Sequence, residues 1–181
     1  MHATILTLLF AAALLAALLT KLWLATRQMR HVAAHRDRVP EAFAATISLA
    51  AHQKAADYTL AKGRFGLVTM AFGTAVLVGW TLLGGLDLLN AALRDALLPR
   101  LGAMGYQLAL LAGFALIGVL IELPLEAYST FRIEQRFGFN RMNWKLWLAD
   151  LAKNVLVGAL IGLPIAALIL WIMGAAGPWW W

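Results

Sequence analysis

The chain has 181 residues, of which 62% are hydrophobic and 13% charged; 15 Lys and Arg face 9 Asp and Glu, and Cys is absent. A mean hydropathy of +0.77 with so few charges excludes an ordinary water-soluble domain, in which about a quarter of residues are charged, and the lack of Cys excludes disulfides and thiolate chemistry. The net charge of +6 does not point to nucleic acid, because the basic residues flank apolar runs and form no stripe with stacking aromatics.

The first apolar run covers residues 3–24 and is interrupted only by Lys21, whose long stem can reach the interface. No Lys or Arg precedes it and the basic residues follow it, which favours an uncleaved span over a signal peptide. A basic connection comes next. Pro40 predicts a break between two cytoplasmic helices, the second running through the strong helix formers of residues 42–60, with Gly63 and Gly66 at its end. Further spans are expected near residues 67–93, 101–124 and 155–173, each close to the 20 or so apolar residues that cross a bilayer. The expectation is an all-α, multi-pass integral membrane protein with about four transmembrane helices and two basic cytoplasmic connections.

Orientation follows from the cations. Eight of the 15 Lys and Arg lie between residues 21 and 64, two between 87 and 100, and five between 132 and 153. The positive-inside rule places the first and third connections in the cytoplasm and both termini outside, with Trp179, Trp180 and Trp181 at the outer interface. Together with the Ala, Leu and Arg bias, this suggests a bacterial inner membrane, with the lipid bilayer as the constant partner.

Several residues invite chemical readings. His31 and His35 are spaced i, i+4 as in HExxH, but Val32 stands where the general base would be, so a solvated basic helix is expected and not a zinc site. Glu122 and Glu126 also lie i, i+4, around Pro124, at the inner end of the third span. Acids at membrane depth suggest function, whereas at the interface Arg132 and Arg136 would neutralise them. Pro124 is expected to kink or end that helix. Ser48 and His52 share a face without a third partner, and Gly158 with Gly162 forms a weak GxxxG.

Residues 131–141, FRIEQRFGFNR, form a polar, aromatic insert between apolar runs. Gly138 suits a left-handed helix end, and Asn140 or Asn143 can cap the next helix. Trp144, Trp147, Leu148 and Leu151 then repeat at helical spacing, which predicts a tight turn and an amphipathic helix leading into the fourth span.

The wording of this hairpin resembles the type I CAAX prenyl proteases, which carry a stretch like F-x-I-E-x-x-x-G-F-N-[KR] followed by a helix with an acid and then Lys. Phe131, Ile133, Glu134, Gly138, Phe139, Asn140, Arg141, Asp150 and Lys153 fit that pattern. A second block, HQKAADYTLAKGRFG at residues 52–66, is similar to the family's Q-K-A-x-x-Y-x-x-x-K-x-x-F at Gln53, Lys54, Ala55, Tyr58, Lys62 and Phe65.

The resemblance implies the N-terminal membrane domain, residues 1–181, of a zinc metalloendopeptidase whose spans ring an intramembrane chamber. It implies zinc, a C-terminal catalytic domain and a peptide or prenylated-protein substrate for the full-length enzyme. The family's HExxH does not occur in this sequence, so no catalytic or metal residue is assigned, and the chain is expected to be inactive alone. The motif residues would dock the catalytic domain; Arg132, Arg136 and Arg141 would pair with its acids or with lipid phosphates, and Glu134 would accept from backbone N–H or Arg donors. Two other readings stand beside this one: a noncatalytic membrane scaffold, and an intramembrane carboxylate protein, hydrolase or proton-coupled carrier, built on Glu122 and Glu126.

Overall fold

The computed structural model describes residues 2–177, with side chains from residue 4 onward. Helix α1 spans His2–Ala34, a 3-10 turn Glu41–Phe43, α2 Leu49–Thr81, α3 Gly85–Tyr128, a π-helical turn Ser129–Glu134, the one-turn α4 Gln135–Phe137, and α5 Trp144–Ala176. No strand occurs among the described residues. Four helices among those residues are long and apolar enough to cross a membrane: Thr4–Ala34, Leu49–Thr81, Gly85–Phe137 and Trp144–Ala176. Leu6, Leu88, Leu156 and Leu160 are among many exposed large apolar side chains, an arrangement that suits lipid and would be costly in water. The chain is an all-α, multi-pass integral membrane protein.

The helix boundaries differ from expectation in ways that have local causes. The helix foreseen over residues 42–60 starts at Leu49, because Ser48 Oγ accepts from the Ala51 N–H at 3.2 Å and caps it. Nor does α2 pause at Gly63 or Gly66; the helix foreseen in the first connection and the second span are one element. Gly63 serves close packing instead, since a Cβ there would lie 2.7 Å from Met29 Sδ of α1. The expected span 67–93 stops at Thr81: the N–H groups of Leu82 and Leu83 both bond to the Val78 carbonyl, and Gly84 turns the chain at φ 80°. Residues 85–93 therefore belong to α3.

Helix α3 is itself interrupted at Gly102, where φ is 69° and ψ −177°, a conformation that costs glycine little. It continues through Pro124 to Tyr128, so Pro124 does not end it. Asn143 caps α5 by accepting from the Leu146 N–H at 2.8 Å, which leaves Asn140 outside the cap. The amphipathic stretch and the fourth span then run together as a single 33-residue helix. The Trp179, Trp180 and Trp181 tail lies outside the described residues.

The chain divides into two compact units. One combines α1 and α2 with Leu125–Asn140; the other combines Gly84–Pro124 with α5. In the second, the two arms of α3 meet: Tyr106 donates a hydrogen bond to Asn90, and a Cβ on Gly113 would lie 3.3 Å from Leu93. In the first, α1 and α2 form an antiparallel pair on which Leu125–Asn140 packs. Its buried apolar side chains, Ala56, Ile133 and Phe137, come from α2 and from that returning segment. The core of this unit is the seam between the two sequence blocks.

Candidate functional site: the Glu134 clasp

The seam is built from one stripe of α2. Lys54, Tyr58, Lys62 and Phe65 repeat at i, i+4, i+8 and i+11, which keeps them on one helix face. Opposite them, the π-helical turn inserts an extra residue into the helical repeat, a feature often found at functional positions. Glu134, the last residue of that turn, reaches the stripe, while Ile133 beside it and Phe137 in α4 are buried.

Glu134 accepts from two donors on α2, one of them shared between its two oxygens. The Tyr58 hydroxyl lies 2.9 Å from Oε1 and 3.0 Å from Oε2, and Lys62 Nζ donates to Oε1 at 2.8 Å. Lys62 also reaches Ser129 Oγ at 3.3 Å. The Glu134 carboxylate is 22% exposed and the Lys62 side chain 41%, so this is a partly buried pair. The Tyr58 ring packs edge-on against Phe137 and Phe139, with centroids 5.3 and 4.8 Å away, and Phe65 stacks on Tyr128 at 5.2 Å. The Glu134 donors are thus a tyrosine and a lysine, where a backbone amide or an arginine was expected for its side chain.

The main chain of Glu134 is also engaged. Its carbonyl accepts from the N–H of Phe139 at 2.9 Å and of Asn140 at 3.3 Å, while the Gly138 N–H bonds to Gln135. That pairing is a Schellman termination, and it needs Gly138 at φ 81°. Gly138→Ala is expected to cost about 1–2 kcal/mol from the left-handed backbone, read as a lower thermal midpoint of the detergent-solubilised protein. An unchanged midpoint would show that the turn tolerates a side chain there.

A second tie lies at the looped end of the α1–α2 pair, beside the connection that joins the two helices. Arg36 holds both oxygens of Asp57, through Nε at 2.7 Å and Nη2 at 2.8 Å, and bonds Asp37 at 2.8 Å. The hydrogen bond to Asp57 raises the guanidinium pKa above its ordinary value, so Arg36 stays charged. Gln53 donates to Asp37 at 2.8 Å and His52 Nε2 bonds the His35 carbonyl at 2.9 Å. Gln53 therefore serves this tie and not the clasp. Sequence reasoning missed the pair, since nothing in the spacing of Arg36 and Asp57 marks them as neighbours.

The remaining motif residues fall elsewhere. Phe139 sits 59% exposed on the rim of the seam. Arg141, Asp150 and Lys153 belong to the other unit. Glu122 and Glu126 lie on α3 and take part in no ion pair among the described residues. His31 and His35 stack at 4.2 Å, and His35 Nδ1 is bonded to the His31 carbonyl. No group of three or more His, Asp or Glu among the described residues is placed to hold a metal. The donor set of a zinc centre is not assembled by these residues.

Comparison with known proteins agrees with this geometry. The chain is 31% identical to the CAAX prenyl protease 1 homolog of Arabidopsis thaliana over 78% of its length, and 29% identical to CAAX prenyl protease 1 of Saccharomyces cerevisiae over 65%. It spans only 34% and 27% of those relatives. Its fold matches the crystal structure of S. mikatae Ste24p with a TM-score of 0.83 at 24% identity, covering 91% of this chain and 38% of that one. Residues 28–181 match the family described as CAAX prenyl protease N-terminal, five membrane helices, and to that family this chain belongs.

Proposed function

We propose that the chain forms part of the wall of an intramembrane chamber in a zinc metalloendopeptidase of the CAAX prenyl protease kind, and that it docks a catalytic domain without being catalytic itself. The observation that carries this reading is the clasp. Tyr58 and Lys62 on one motif block and Glu134 on the other, 76 and 72 residues apart, meet in one bonded seam. Residues that carry the family resemblance thus build a single scaffold. HExxH is absent from residues 1–181, so the zinc ligands and general base would come from the part of the relatives that this chain does not cover. The basic connections would lie in the cytoplasm and the termini outside, in a bacterial inner membrane. Asn140, Arg141, Asp150 and Lys153 would face the catalytic domain, whose substrate would be a peptide or prenylated protein.

Residues 1–181, supplied with zinc, are expected not to cleave a farnesylated CAAX peptide. Co-expression with the HExxH-bearing remainder of a relative should restore cleavage, and Asn140→Ala should reduce it by about tenfold through misplaced docking. Cleavage by residues 1–181 alone would overturn the noncatalytic assignment. Unchanged cleavage in the Asn140 variant would overturn the docking role. Glu122→Gln is expected to leave cleavage intact; its loss would favour an intramembrane carboxylate mechanism.

A further inference from the structure

Beside the clasp lies a cleft of about 790 Å³ between α2 and residues 128–137. Three guanidinium side chains line it: Arg64 from α2, and Arg132 and Arg136 from the returning segment. No Asp or Glu lines it. Of this unit's carboxylates, Asp57 is paired with Arg36 and also lies within electrostatic reach of Arg136, and Glu134 is held by Lys62 and Tyr58. Glu126 makes no ion pair among the described residues and does not line the cleft. The walls are aromatic, with Phe65, Tyr128 and Phe131 among the lining residues. Arg141, grouped with Arg132 and Arg136 on sequence alone, lies in the other unit; Arg64 takes its place.

We propose that this cleft binds the phosphate headgroup of an anionic membrane lipid. Planar guanidinium groups present paired donors that match phosphate oxygens. Arg64 stands just before the apolar stretch of α2 that begins at residue 67, which puts the cluster at the depth where headgroups lie. The aromatic walls suit the glycerol and upper acyl region of a lipid, where a free inorganic ion would leave them unfilled. The site requires only that the chain lies in a membrane; it is independent of whether a protease is completed elsewhere.

The test is lipid retention by the intact chain in nanodiscs of phosphatidylcholine with 20% phosphatidylglycerol, roughly the anionic fraction that gives a strong surface potential. Native mass spectrometry counts the phosphatidylglycerol carried over. Arg132→Gln with Arg136→Gln should weaken retention by about thirtyfold, at roughly fivefold per lost charge near a surface. Arg27→Gln with Arg30→Gln removes the same charge from a separate patch on α1 and should leave retention within about twofold of the parent. Equal loss in both variants would reduce the effect to general surface attraction and overturn the site. Displacement of the lipid by millimolar inorganic phosphate would overturn the lipid assignment in favour of a free anion. Arg132→Lys with Arg136→Lys keeps the charge and removes the paired donors; intermediate retention supports guanidinium recognition even if the glutamine variants fold poorly, and retention equal to the parent overturns it. If retention is unchanged in every variant while cleavage in the co-expression assay falls, the cleft holds an acidic segment of the catalytic domain and the lipid proposal fails.

Discussion

Glu134→Lys is expected to destabilise the protein more than any other change to a polar residue of the clasp, and adding Lys62→Glu is expected to recover about half of the loss. The single variant removes the shared acceptor of Tyr58 and Lys62 and sets two ammonium groups against each other. Breaking a fully buried pair costs about 3–5 kcal/mol. Here Lys62 is 41% exposed, and solvent screening brings the expectation to about 2–3 kcal/mol. The swapped pair restores opposite charge at the same seam. The Tyr58 hydroxyl would then accept from the introduced ammonium where it had donated to Glu134, and Ser129 would donate to the new carboxylate. Recovery stays partial because the side-chain lengths are exchanged. Thermal unfolding in detergent of the parent, both single variants and the double variant gives the coupling directly. A double variant that melts at or below the worse single one would show that the seam does not depend on this ion pair.

Phe137→Ala is the second large effect. Phe137 is 9% exposed, lies edge-on to Tyr58 at 5.3 Å and helps to line the arginine cleft. Truncation opens a void at the centre of the seam and should cost about 3 kcal/mol. Phe139→Ala is the informative comparison. Its ring also meets Tyr58, at 4.8 Å, but is 59% exposed, so about 1 kcal/mol or less is expected. Similar losses at both positions would mean that ring contact with Tyr58, and not burial, sets the energy.

Helix content was legible because every backbone group in a bilayer must be satisfied within its own helix, which makes long apolar runs easy to read. Helix ends were less legible. Leu82 and Leu83 continue the apolar run of α2, so only Gly84 and Gly85 mark a boundary that composition alone smooths over. Gly63 looked like punctuation because glycine usually weakens helices, yet against Met29 it acts as a notch between two of them. The clasp was half legible: the motif blocks named Tyr58, Lys62 and Glu134. Nothing in either block states that the lysine and tyrosine answer the glutamate, because that contact spans more than 70 residues. The Arg64 cleft was hidden for the same reason, since its third arginine comes from the other block.

The separations of the two ties give the unit an assembly order. Arg36 and Asp57 are 21 residues apart, whereas Lys62 and Glu134 are 72 apart. At a synthesis rate of about 5–20 residues per second, Glu134 leaves the ribosome roughly 4–14 s after Lys62. The α1–α2 hairpin can therefore be latched by Arg36 while Tyr58 and Lys62 still wait for their acceptor. During that interval Lys62 and the Tyr58 hydroxyl lack this acceptor, and only the arrival of residue 134 supplies it. The clasp can thus close only after the polypeptide has been translated through its third hydrophobic segment.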